Sequence, residues 1–170
     1  MKPGIKVLSL LISIIQINSL IASGQNSLPD QFVYNSTSFD ERIKTVQLYR
    51  EEWNLSYPIV RLNSQEKLVL HFDLMGDHSE NYYYTFIHCD KDWKKSDIFE
   101  RDYLNGEPNN PIEEYKPSFN TTTGYYHYKV GFPNDRVSIT RSGNYVVKVY
   151  PADNPEQTVL TQRLWLPRMG

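Results

Sequence analysis

The stretch NYYYTFIHCDKDW, Asn81–Trp93, decides the fold. Tyr82 to Cys89 is a run of aromatic and β-branched residues, the composition of a β-strand. Alternate residues of a strand face opposite ways. One side therefore carries Tyr82, Tyr84, Phe86 and His88, and the other Tyr83, Thr85, Ile87 and Cys89. Neither side is polar enough for a strand with one wet face. Both faces are expected to be covered, one by a facing sheet and the other by a loop, a second domain or a partner.

On the N-terminal side, Lys67–Leu74 alternates cleanly, with Leu68, Leu70, Phe72 and Leu74 on one face. The turn residues Met75–Ser79 are expected to join it to Tyr82–Cys89 as a hairpin. Further upstream, Lys44–Tyr49 and Tyr57–Leu62 read as strands, Pro58 marking the second as an edge strand or a strand start. On the C-terminal side, Lys91–Pro117 has no strand pattern, and Pro108, Pro111 and Pro117 exclude a long helix. Its Trp93, Phe99, Tyr103, Leu104, Ile112 and Tyr115 point to a packed loop lying over the outer face of Tyr82–Cys89. Alternation resumes in Tyr125–Pro133, Tyr145–Tyr150 and Val159–Leu166.

Seven or eight short strands with frequent Pro and Gly turns are the pattern of an all-β protein, an antiparallel β-sandwich of the immunoglobulin or fibronectin type III kind. Cys89 is the only cysteine, so the disulfide of antibody domains is absent and the fibronectin-like branch is favoured. The same count excludes an internal disulfide and a zinc–cysteine cluster.

The sandwich spans residues 43–166. Before it, Met1–Gly24 has the form of a secretory signal, with Lys2 and Lys6 ahead of an apolar run and small residues Ala22-Ser23-Gly24 placing cleavage after Gly24. Residues 25–42 read as a flexible lead-in and 167–170 as a tail. No other segment is apolar enough to cross a bilayer. The chain has 18 basic and 20 acidic residues, and the leader takes two lysines with it, leaving a net charge of about −4. That acidic balance, with no basic patch, argues against nucleic-acid binding.

Two constellations invite chemistry. His88 beside Cys89 resembles a base and a thiol, but neighbours on a strand face apart. His71, Asp73, His88, Asp90 and Asp92 would come close across the expected hairpin, yet they lack the spacing of a metal site. No catalytic, cofactor-binding or metal-binding residue is assigned. The thirteen Tyr, three Trp and seven Phe leave a choice between sugar stacking and packing or protein contact. Trp53, Trp93, Phe99 and Tyr103, all in connections, are the candidate partner contacts.

Five separated blocks carry a resemblance. They are Ile43–Asp73, then Asn81–Trp93, then YKPSFN at Tyr115–Asn120, YHYKVGFPN at Tyr126–Asn134 and SGNYVVKVY at Ser142–Tyr150. Together they resemble the N-terminal domain of the plug protein of the type IX secretion system of Bacteroidota. The resemblance implies export to the periplasm and no enzymatic activity. It implies a place at the inner side of the outer membrane, where the partner is the translocon β-barrel that the plug closes. Family members continue well beyond this domain, so the resemblance also implies a shortened chain. The alternatives from other classes are a secreted carbohydrate-binding module and an accessory domain of a secreted hydrolase.

Overall fold

The computed structural model describes residues 33–168, so the expected leader, its cleavage site and residues 25–32 lie outside the described residues. The strands run β1 (Thr37–Ser38), β2 (Ile43–Arg50), β3 (Leu68–Met75) and β4 (Tyr82–Cys89). A short 3-10 turn, Glu100–Asp102, leads into β5 (Leu104–Gly106), β6 (Asn110–Pro111) and β7 (Glu114–Pro117). β8 (Tyr125–Phe132), β9 (Val137–Ile139), β10 (Gly143–Pro151) and β11 (Leu160–Leu166) complete the chain. They form one sheet ordered β1-β11-β10-β4-β6, a second ordered β2-β3-β8-β7, and a small β5-β9 ribbon. All strand pairs are antiparallel. The β2-β3-β8-β7 sheet facing the β11-β10-β4 strands of the other sheet is the arrangement of an immunoglobulin-type sandwich.

The core follows from the alternation. Leu68, Leu70, Phe72 and Leu74 of β3 are buried against Tyr82, Tyr84 and Phe86 of β4 and Tyr145, Val147 and Val149 of β10. Phe72 stacks on Tyr128 at 4.9 Å, and Tyr82 meets the two rings edge-on at 5.6 and 5.3 Å. Such pairs add to the burial energy and fix the relative rotation of the sheets. Tyr145 lies near the start of β10, and its hydroxyl donates to the Arg141 carbonyl at 2.8 Å. This is the tyrosine corner of immunoglobulin-like domains, which pins a strand to the turn before it.

β3 and β4 do not form the expected hairpin. β3 pairs with β2 and β8, whereas β4 pairs with β10 and β6. The intervening turn carries the chain from one sheet to the other, because both strands have an apolar face and each needs the other's as its cover. The crossing is anchored by Tyr128, whose hydroxyl donates to the Glu80 carbonyl at 2.8 Å and accepts the Glu80 N–H at 2.9 Å.

Three more expectations are corrected. Tyr57–Leu62 is not a regular strand. It touches β11 through a single parallel bridge, Ile59 to Trp165, with the Trp165 N–H donating to Pro58 and the Val60 N–H donating back to Trp165. The end of the lead-in is part of the sandwich, since β1 pairs with β11 and Tyr34 is buried with Cys89 and Val146. The connection after β4 contributes β5, β6 and β7, and its Tyr103, Leu104 and Ile112 enter the main core. It closes the inner side of the sandwich at the His88 end, where Tyr103 contacts the His88 and Tyr145 rings at 5.7 and 5.8 Å. The same connection also lies over the outer face at Cys89, as expected, through Trp93, which packs there beside Tyr34.

Gly106 closes the β5–β9 ribbon with φ +99, and a Cβ there would overlap the carbonyl oxygen of Arg136, the residue before β9. Gly106→Ala is expected to pull the ribbon apart and to cost about 2 kcal/mol or more, combining strain and lost pairing. Urea unfolding of the variant measures it.

Candidate functional site

The connection between β2 and β3 is held rigidly by its own backbone. The Trp53 N–H donates to Arg50 at 2.8 Å, the Ser56 N–H to Trp53 at 3.0 Å, and Ser56 Oγ accepts the Arg50 N–H at 2.8 Å. The apolar side chains of this loop lie outward: Trp53 is 55% exposed, Leu55 82% and Tyr57 81%. Ile59 is also exposed, and its bridge partner Trp165 is 46% exposed on the same side. Trp53, Leu55, Tyr57, Ile59 and Pro167 line one shallow hollow.

Charged groups frame this hollow. The Arg50 guanidinium lies 5.2 Å from the Trp53 ring centre and forms an ion pair with Glu66 at 3.1 Å. The Arg61 N–H and the Arg50 guanidinium hold the Glu66 carboxyl below the usual carboxylate range. The ring is thus presented on a supported stem, with one face available. Contiguous exposed aromatic and aliphatic side chains with a polar rim are the anatomy of a protein-contact surface.

The four candidate contacts fall in different surroundings. Trp53 belongs to the hollow. Phe99 is exposed on the connection after β4, with the Arg101 guanidinium 4.8 Å from its ring centre. Trp93 is half-buried, with the Arg163 guanidinium 4.2 Å from its ring, and Arg163 Nε donates to the Tyr34 carbonyl at 2.6 Å. Its packing fastens the N-terminal segment to the sheet. Tyr103 is 4% exposed, and its hydroxyl donates to the Phe86 carbonyl at 3.1 Å, so it is a core residue and not a contact. Leu55, Tyr57 and Trp165 are exposed side chains that the sequence reading passed over. Tyr57 lies in a run that imitates a strand, and Trp165 lies in a real strand whose outward face could not be identified from alternation.

The two chemical constellations are taken apart by the fold. His88 Nδ1 pairs with Ser96 Oγ at 2.8 Å on the inner side, while Cys89 packs with Tyr34 and Val146 on the outer side. Burial pushes the Cys89 thiol up to about 12, which keeps it protonated and unreactive. His71 and Asp73 lie in one sheet, and His88 lies near the end of a strand of the other. Among the described residues no group of three or more His, Cys, Asp or Glu side chains is placed to hold a metal ion. No helix among them is long and apolar enough to cross a membrane.

Comparison with known proteins places these observations. A hypothetical protein from Parabacteroides merdae ATCC 43184 has the same fold in its crystal structure, with a TM-score of 0.78 at 32% identity. The match covers 80% of this chain and 34% of that one, so this chain spans about a third of its relative's length. Pseudomonas fluorescens alkylpurine DNA glycosylase AlkC, bound to DNA containing an abasic site analog, gives a TM-score of 0.37 at 10% identity over 74% of this chain and 30% of its own. A likeness of that size supports no conclusion about this chain. No curated protein matches. Residues 43–168 match the family described as Type 9 secretion system plug protein 1st domain, which takes in the sandwich from the start of β2 to the residue after Pro167. The chain belongs to the type 9 secretion system plug protein family, and residues 43–168 are its first domain.

Proposed function

We propose that this chain is an exported, periplasmic, non-enzymatic domain that binds the outer-membrane translocon barrel of the type IX secretion system and contributes to closing it. The family match from β2 to β11 carries this reading. The mechanism is steric, a rigid body seated by a protein interface, with no bond made or broken. The hollow around Trp53, Leu55, Tyr57 and Ile59 supplies the contact, since a few central aromatic anchors carry most of the energy in such interfaces.

The test is affinity capture of the mature chain, tagged at its C-terminus, from envelope extracts of its source. Recovery of the translocon barrel is expected. The double variant Trp53→Ala, Tyr57→Ala should lose at least about tenfold in affinity for the barrel, roughly 1.4 kcal/mol or more. Equal capture by the variant would move the contact elsewhere on the domain. Failure of the unsubstituted chain to recover the barrel would overturn the assignment itself.

A further inference from the structure

The outward face of the β2-β3-β8-β7 sheet holds an unbroken chain of titratable side chains across two strands. Asp73 Oδ1 lies 2.7 Å from His127 Nδ1, and His127 Nε2 lies 3.0 Å from His71 Nδ1. Tyr49 of the edge strand β2 stacks on the far side of His71 at 5.2 Å, and the His71 and His127 rings stack at 5.1 Å. The row thus links β2, β3 and β8 through side chains alone.

We propose that Asp73, His127 and His71 form a proton-responsive joint that stays closed while it carries one added proton and opens when it receives a second. The chemistry of the two rings dictates this. With both imidazoles neutral, the Asp73 carboxylate accepts the His127 Nδ1 proton, so His127 Nε2 is bare and accepts the His71 Nδ1 proton. One added proton makes His127 an imidazolium between Asp73 and His71. It then donates from both nitrogens, and His71 Nδ1 becomes the acceptor. A second proton puts N–H groups on both sides of the His71–His127 contact, which leaves no acceptor and sets two like charges together.

The surroundings sharpen the effect. Lys44 of β2 is opposite Asp73, Lys129 of β8 is opposite His71, and Lys116 of β7 is opposite His127. Glu114 of β7, opposite Lys129, is the acidic group on this face besides Asp73. Burial, followed by the positive charge of His127 and Lys129, lowers the His71 pKa below the ordinary histidine value. The same lysines disfavour a bound cation between the two rings.

The sign follows from that direction. The fold favours neutral His71, so its contribution is complete above the ordinary histidine value of about 6.5 and is lost as pH falls through the lower folded value. Opening releases His71 and with it the stacked Tyr49, so the strand that loosens is β2. Hydrogen exchange on the full chain tests this between about pH 7.5 and about pH 5, with intrinsic rates corrected. Amides of β2 should lose about tenfold in protection. His71→Phe keeps a ring for Tyr49 to stack on but takes no proton, and its β2 protection should not change with pH. In the wild-type chain, nitrogen chemical shifts at neutral pH should show His127 in a single fixed tautomer, protonated at Nδ1. Unchanged β2 protection down to about pH 5, equal loosening in His71→Phe, or freely exchanging tautomers at His127 would each overturn the proposal.

Discussion

Phe86→Ala is expected to cost about 3–5 kcal/mol of unfolding free energy, the largest loss from any single truncation in this core. Phe86 is fully buried in the middle of β4. It meets Tyr84 edge-on at 5.7 Å and Phe132 edge-on at 4.9 Å, and Phe132 belongs to the opposite sheet. Truncation would leave a void between two sheets that β10 and β3 hold in register on either side. Neither sheet can collapse into it without breaking ladder hydrogen bonds, so the cost should lie well above the transfer energy of the ring alone. Urea denaturation followed by tryptophan fluorescence measures it. A loss below about 1.5 kcal/mol, the range of a well-tolerated core swap, would mean that the sheets repack and that the aromatic cluster is not the determinant described here.

Tyr103→Ala is expected to cost about 3 kcal/mol and, unlike Phe86→Ala, to act locally as well as globally. Tyr103 plugs the connection after β4 into the sandwich by contact with His88 and Tyr145 and by its bond to the Phe86 carbonyl. Without the ring, residues 97–107 lose the anchor that holds the 3-10 turn and the β5–β9 ribbon against the core. Their amides should exchange far faster than those of β3 or β10. Tyr103→Phe removes one hydrogen bond and should cost about 1 kcal/mol while leaving that protection largely in place. If the alanine variant kept the protection of residues 97–107, the connection would be held by β5, β6 and β7 and not by this side chain.

Most of the sandwich was legible because its long strands obey a single rule. The apolar faces of β3 and β10 that enter the core repeat at every second residue, Leu68-Leu70-Phe72-Leu74 and Tyr145-Val147-Val149. The failures share a different cause. β5, β6 and β7 are two to four residues long, too short for a period to show, and they exist because β9, β4 and β8 offer edges to pair with. Tyr34 looks like part of a polar lead-in until Arg163 and the Cys89–Val146 surface give it a seat. The turn at Gly76 announced a change of direction, but not whether the chain would turn within its sheet or cross to the other.

The candidate surface was half legible for a similar reason. Trp53 stands among charged residues in a connection, which marks it as outward. Tyr103 stands in an equally polar setting and is buried. Phe119, at the tip of the turn after β7, is 93% exposed although its neighbours Tyr115 and Tyr126 pack on each other at 6.3 Å. Composition gives the number of aromatic rings, but long-range contacts decide which of them meet solvent.

The irregularity in β2 bears on the company this domain would keep. Register slips between Lys44 and Gln47, and Thr45 takes a φ of +53 that β-branched residues rarely adopt. At the other border of that sheet, β7 is four residues long, carries Lys116 and ends in Pro117. Neither border offers a flat row of free backbone groups on which a foreign strand could be templated. With both borders of this sheet spoiled for pairing, extended polypeptides gain no strand to anneal to there, and whatever meets the sheet at its borders must meet side chains.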